Sequence, residues 1–188
     1  MAIRLDRVSK SYGDLCVIRD MTYVFPERGV VAITGRSASG KTTLINLLLC
    51  IVKPDSGTIT GAGRIGAVFQ EDRLASNLTV SGNLRLINAD RAAIDRHLKA
   101  VGLYENRDDA IDSLSGGMKR RLAVARAVLY PSEATVMDEP YKGLDGKTRE
   151  QVIAYVLREC ANRLIVCVSH EPEELRLMKP MDIINLGE

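Results

Sequence analysis

The segment Gly35-Arg36-Ser37-Ala38-Ser39-Gly40-Lys41-Thr42-Thr43 has the spacing GxxxxGK[ST] and lies between two apolar runs, VVAIT before it and TLINLLL after it. Glycines let such a loop wrap closely, so that its backbone N–H groups and the start of a following helix face a polyphosphate. Lys41 adds a flexible point charge for the terminal phosphates, and Thr42 adds a hydroxyl for Mg2+. A second group, Asp138-Glu139, closes the apolar stretch Ala134-Thr135-Val136-Met137. Consecutive residues at a strand end point to opposite sides, which suits Asp138 to the metal shell and Glu139 to polarising an attacking water. By itself such a pair is an ordinary solvated turn; beside a phosphate loop it points to metal-dependent hydrolysis. A third group, Leu114-Ser115-Gly116-Gly117-Met118, opens the helical stretch KRRLAVARAVL. Its N–H groups and dipole can bind phosphate, although a serine that caps a helix needs no ligand. The phosphate loop alone fits a GTPase, a small-molecule kinase or an ATPase. The chain contains neither NKxD for guanine nor DxxG at any aspartate, which disfavours the first.

Alternating strands and helices must hold these groups in place. Periodicity predicts strands over Ile3 to Val8 and Met21 to Phe25, a turn at Pro26-Glu27-Arg28-Gly29, and a buried strand from Val30 to Thr34. A helix is expected from Thr42 to Val52, closed by Lys53-Pro54-Asp55-Ser56-Gly57, and then a strand from Arg64 to Phe69. From Glu71 to Ser113 the chain turns to polar helical pieces, read as an insertion. A helix from about Gly117 to Tyr130, strands Ala134 to Met137 and Leu164 to Val168, and the helix Lys147 to Cys160 between them restore a parallel α/β pattern.

In this order the motifs resemble the nucleotide-binding subunit of ATP-binding cassette transporters, whose signature is LSGGQ, and the likeness runs over nearly the whole chain. The resemblance implies an α/β fold: a P-loop NTPase core with a mainly parallel sheet, a small antiparallel β part at the N-terminus and an inserted helical subdomain. It implies one domain over 1–188, with 1–70 and 118–188 as the nucleotide-binding core and 71–117 as the helical subdomain with the signature. It also implies roles. Gly35, Arg36, Ser37, Ala38, Ser39, Gly40, Lys41, Thr42 and Thr43 match the Walker A loop that holds ATP, and Tyr12 matches the aromatic that stacks on adenine. Thr42, Gln70 and Asp138 would surround Mg2+. Gln70 matches the glutamine that senses the γ-phosphate, Glu139 the catalytic glutamate and His170 the switch histidine. Ser115, Gly116 and Gly117, with Asp145 of Gly143-Leu144-Asp145, would complete the site of a second copy, so that ATP drives a homodimer with two sandwiched nucleotides. Read in isolation, Gln70 is a strand-end polar residue, His170 a surface histidine and Tyr12 a packing aromatic. Met118 stands where the signature has glutamine and leaves the serine and both glycines untouched. Lys119, Arg120 and Arg121 read as the solvated face of a helix, with phosphate or an acidic membrane partner as the alternative.

The resemblance makes the expected function ATP hydrolysis coupled to transport, with transmembrane permease subunits and a periplasmic or lipoprotein solute-binding protein as partners. The string FQEDRLASNLTVSGNL is similar to that region of the nitrate, sulfonate and taurine importers, which implies import of a small solute. The alternatives are an exporter or lipoprotein-release ATPase, or a soluble cassette ATPase acting on nucleic acid or ribosomes; the latter usually carries coiled coils or tandem cassettes. Leu74, Leu78 and Val80 are candidates for a groove that receives a membrane subunit, or else form the insertion's own core.

The bulk composition agrees with an ordinary globular protein: 188 residues, a formal charge of +2, 46% hydrophobic and 27% charged residues. So small a charge lacks the basic footprint of a bulk nucleic-acid binder, and no nucleic-acid partner is expected. Cys16, Cys50, Cys160 and Cys167 form no CxxC and read as small hydrophobes inside a reduced protein. The nearly apolar stretch Leu44 to Val52 falls short of the roughly 18 residues of a membrane span. The start MAIRLDRVSK has no apolar signal core. These features leave the chain in the cytosol unless a partner carries it to a surface, and the resemblance implies a cytoplasmic protein peripheral on the inner face of the cell membrane. The 18 residues after His170 are expected to hold no regulatory domain.

Overall fold

The alternation at the N-terminus folds, in a computed structural model that describes residues 2–61 and 63–187, into an antiparallel pair, β1 (Arg4–Tyr12) and β2 (Leu15–Val24). Gly13, with φ at +57°, makes the turn between them. The chain forms two compact units. The first comprises Met1–Ala67, Ser132–Asp138 and Asn162–Glu188; the second comprises Val68–Pro131 and Glu139–Ala161.

In the first unit β4 (Ser56–Thr60) pairs antiparallel with β1, giving a three-stranded sheet ordered β2-β1-β4. A second sheet is built from β3 (Gly29–Gly35), β5 (Ile65–Val68), β6 (Ala134–Asp138), β7 (Leu164–Val168) and β8 (Asp182–Leu186), in the order β5-β6-β7-β3-β8. Strand β3 runs parallel to β7 and β8, and β6 runs parallel to β7. Every residue of β6 and β7 is buried, which is why β7 and the part of β6 before Asp138 read as nearly continuous apolar runs instead of alternating ones. Helix α1 (Lys41–Leu48) buries Leu44, Ile45, Leu47 and Leu48 in the same core as Val31, Val136 and Val166. Each such side chain contributes about 1.5–3 kcal/mol by leaving water.

Some elements differ from those expected. Helix α1 stops at Leu48 and does not run to Val52, because Cys50 turns left-handed (φ +55°). The Cys50 N–H returns to the Leu47 carbonyl and the Ile51 N–H to the Asn46 carbonyl, the bond pattern that closes a helix around a left-handed residue. Part of the expected closing turn, Ser56 onward, is strand β4. Helix α6 (Pro172–Met178) and β8 were not expected at all, although Pro172 sits at the helix start with Glu173 and Glu174 in the first turn.

The second unit is helical: α2 (Val80–Arg85), α3 (Arg91–Ala100), α4 (Gly116–Leu129) and α5 (Gly146–Glu159). Each starts on a side-chain cap. Thr79 accepts from the Gly82 N–H, Asp90 from Ala92, Ser115 from Met118 and Asp145 from Thr148. Val80, Leu84, Ile94, Leu98, Leu122 and Val152 are buried here. Val80 thus belongs to the unit's own core, while Leu74 and Leu78 are half-buried. Cys160 and Cys167 are buried as expected, but Cys16 and Cys50 are exposed. Among the described residues no helix is long and apolar enough to cross a membrane.

Candidate functional site

In the first unit the glycine-rich loop joins β3 to α1. Gly35 has φ at +142°, and a Cβ there would collide with the carbonyl oxygen of Leu186, so that only glycine lets the loop leave the sheet at this point. Gly40 caps α1 with φ at +98° and supplies no side-chain acceptor. The first intrahelical bond runs from the Leu44 N–H to the Gly40 carbonyl, which leaves the N–H groups of Lys41, Thr42 and Thr43 at the helix start without intrahelical acceptors. Ala38 is also left-handed (φ +62°), and Arg36 and Ser37 are exposed. Residues 38–43 and Val17 line an open cleft of about 200 Å³.

Three polar groups converge here. The Lys41 ammonium donates to the carbonyls of Gly35 (2.9 Å) and Arg36 (2.6 Å). The Thr42 hydroxyl donates to the Asp138 carboxylate at 3.0 Å. The hydroxyl of Ser39 is buried with no hydrogen-bond partner among the described residues. Asp138 is only 4% exposed, at the end of an all-buried strand. Two hard oxygen donors 3.0 Å apart, beside a lysine and free N–H groups, fit Mg2+ with a polyphosphate.

The other expected residues of this unit stand as follows. Tyr12 ends β1 and is 49% exposed, with the Lys10 ammonium 5.6 Å from its ring centre. His170 follows β7, is exposed, and has its Nε2 3.4 Å from Glu171. Before it, the buried Ser169 hydroxyl donates to Glu174 (2.6 Å) and accepts from the Glu171 N–H (3.2 Å). This fixes the backbone on both sides of His170.

In the second unit Ser115 is a helix cap, accepting from the Met118 N–H at 3.3 Å. Gly116 is exposed with open space around it, and Gly117 lies beside Leu144. Asp145 caps α5 through the Thr148 N–H at 3.0 Å, and hydrogen bonding to the Thr148 side chain, followed by that N–H, holds its carboxyl below the usual aspartate range. Gln70 is exposed beyond β5. Glu139 is not a simple continuation of the strand: its φ is +46°, and its carboxylate pairs with the Lys142 ammonium at 3.0 Å. A left-handed non-glycine residue at a candidate site is stored strain of about 1–3 kcal/mol.

The expectation of a solvated basic face on α4 is corrected by the structure. Arg120 is 4% exposed and donates to the carbonyls of Phe69 (2.6 Å), Gln70 (3.4 Å), Glu139 (2.6 Å) and Pro140 (3.2 Å) and to the Asp72 carboxylate (3.1 Å). Arg121 donates to the carbonyls of Val101 (2.5 Å) and Gly102 (3.1 Å) at the end of α3, and burial pushes its pKa down. The spacing gives no warning of this, because Lys119, Arg120 and Arg121 each have buried residues three and four positions on along α4.

Residues 18–142 match the family model described as ABC transporter. The sulfate/thiosulfate import ATP-binding protein CysA of Mycobacterium tuberculosis is 33% identical over 194 residues, covering 92% of this chain and 55% of that protein. The molybdenum import ATP-binding protein ModC of Photobacterium profundum is 34% identical over 203 residues, covering 96% and 56%. The chain spans about half the length of these curated relatives. A dimeric ATP-binding cassette in a post-hydrolysis state, bound to ADP and Pi, superposes with a TM-score of 0.88 at 26% identity, covering 98% of this chain and 94% of that one.

Proposed function

The chain belongs to the ABC transporter family, and on that premise we propose that it is the ATP-binding and ATP-hydrolysing subunit of a membrane transporter. The observation that carries this reading is the Thr42 hydroxyl 3.0 Å from the Asp138 carboxylate, beside the Lys41 ammonium at the start of α1. Lys41 exchanges its two loop carbonyls for the β- and γ-phosphates of ATP, and residues 35–43 surround them with N–H groups. Thr42, Gln70 and Asp138 hold Mg2+, which when bound neutralises charge on the phosphates. Glu139 accepts the proton of the attacking water, Gln70 and His170 contact the γ-phosphate, and Tyr12 stacks on adenine. Ser115, Gly116, Gly117 and Asp145 of a second copy complete each site, so that ATP closes a homodimer and hydrolysis reopens it.

Closure acts on transmembrane permease subunits and keeps the protein at the inner face of the cell membrane. In the domain reading that goes with this, residues 1–70 and 118–188 bind nucleotide, and 71–117 deliver the stroke. The finer reading is import of a small solute of the nitrate, sulfonate or taurine kind, with a periplasmic or lipoprotein binding protein. The likeness of residues 69–84 to such importers supports it, as do relatives named for import of sulfate/thiosulfate and molybdenum.

Sedimentation of Glu139→Gln with and without ATP and Mg2+ tests the composite site. The expected result is loss of hydrolysis together with a nucleotide-dependent shift from monomer to dimer. Hydrolysis at the wild-type rate would refute the role of Glu139, and an ATP-bound monomer would refute the ATP-driven homodimer.

A further inference from the structure

We infer that Arg120 is a positioning residue for hydrolysis, its guanidinium fixing in one frame the two backbone segments that carry Gln70 and Glu139. The inference rests on the hydrolytic reading of those two residues and deepens it. Residues 69–72 have left strand β5, and residues 139–140 form a left-handed turn after β6, so regular sheet pairing fixes neither segment. Arg120 bonds to both. Its Nη1 reaches the Phe69 and Gln70 carbonyls and the Asp72 carboxylate, while Nε and Nη2 reach the Pro140 and Glu139 carbonyls.

The chemistry of the fork accounts for the choice of residue. Arginine presents five N–H donors in one rigid plane, so a single side chain can serve carbonyls that arrive from two directions. A lysine at this position could follow one segment but not hold both, because its donors radiate from one nitrogen at the end of a flexible stem. Burial keeps water from replacing the fork, with Arg120 4% exposed. Asp72 supplies the counter-charge at 3.1 Å, and Arg126 in turn donates to the Asp72 carbonyl at 3.2 Å. The Glu139 carbonyl bond of 2.6 Å also holds the residue whose φ of +46° is unfavourable, which keeps its carboxylate direction fixed.

The test compares Arg120→Lys with the wild-type chain for kcat, ATP dissociation constant and backbone amide exchange, and repeats the kinetics in the Glu139→Gln background. Misplacing a catalytic group by about 1 Å costs on the order of 100-fold, so kcat should fall roughly 10- to 100-fold. The ATP dissociation constant should rise by far less than kcat falls, because Lys41 and Thr42 are untouched and only the Gln70 contact is loosened. Exchange should rise in 69–72 and in 139–142 together, and on the residual turnover of Glu139→Gln the substitution should cost less than in the wild-type chain, since only the Gln70 part of the loss remains. A purely structural role predicts the same fractional loss in both backgrounds. That result, an unchanged kcat, or exchange rising in only one segment would overturn the inference. Arg120→Gln, which keeps two donors, should repeat the pattern if lysine prevents folding. Failure of the hydrolytic reading is a separate result: Glu139→Gln alone would turn over ATP like wild type, while the exchange data still report whether Arg120 ties the two segments.

Discussion

Replacing Thr42 by valine keeps the branched shape of the side chain and removes one hydroxyl, the donor to Asp138 at 3.0 Å. Asp138 is 4% exposed, so its carboxylate loses a partner that water replaces poorly. Hydrogen bonds to charged groups contribute about 1.5–3 kcal/mol. Thr42 itself is exposed at the start of α1, which lets solvent approach from one side and favours the lower end, about 1.5 kcal/mol. For a protein of this size that is a fall in Tm of about 3–6 °C. The same hydroxyl is an assigned Mg2+ ligand, and losing it should weaken ATP binding about tenfold, or ~1.4 kcal/mol, when the metal is present. In EDTA the affinity should match wild type, because Lys41 and the loop N–H groups remain. Calorimetric titration with ATP in Mg2+ and in EDTA, together with a thermal melt, separates the two effects. An equal loss of affinity in both buffers would mean that the hydroxyl only shapes the loop. No loss in either would place the metal elsewhere.

Ser115→Arg should block hydrolysis at the partner's site and leave nucleotide binding to the monomer intact, at a stability cost of about 1 kcal/mol for the lost cap; loss of binding as well would point to misfolding. Cys50→Gly should raise Tm by about 2–4 °C, since the left-handed position favours glycine by about 1 kcal/mol, and a lower Tm in a scanning melt would refute the assignment of strain there. Asp55 is held below the usual carboxylate range by the Lys10 ammonium (2.6 Å) and the Ser11 N–H (2.7 Å). A folded pKa below the unfolded one gives stability that is complete above about pH 4 and is lost as pH falls through the lowered value. Asp55→Asn should therefore destabilise in urea melts at pH 7 and be neutral near pH 2, whereas an equal effect at both would refute the linkage.

The parts of the molecule that were legible in sequence are those where local chemistry and tertiary role coincide. The phosphate loop needs Gly35 and Gly40 for backbone reasons, and the structure shows both with positive φ. Strand β7 is apolar throughout, and β6 nearly so up to Asp138, because both faces are covered. The misreadings fall where tertiary context overrides local signals. Nothing in the stretch Leu44 to Val52 marks Cys50 as the left-handed stop, because glycine, the usual residue there, is absent. Strand β8, only five residues long with three of them exposed, carries too little pattern to be read and exists by pairing with β3.

Arg120 is the most instructive miss, because a cation within a run of three is ordinarily solvated and the opposite holds here. Its environment is made by carbonyls at positions 69, 70, 139 and 140, which are remote in sequence and leave no trace in the local pattern. Charge patterning alone therefore cannot distinguish a solvated arginine from one that organises backbone. Lys119, Arg120 and Arg121 all have buried residues three and four positions on along α4, yet of the three only Arg120 sits in a buried place. A residue there must satisfy its donors within the protein, and the carbonyls that satisfy them belong to the two segments on which the proposed hydrolysis depends.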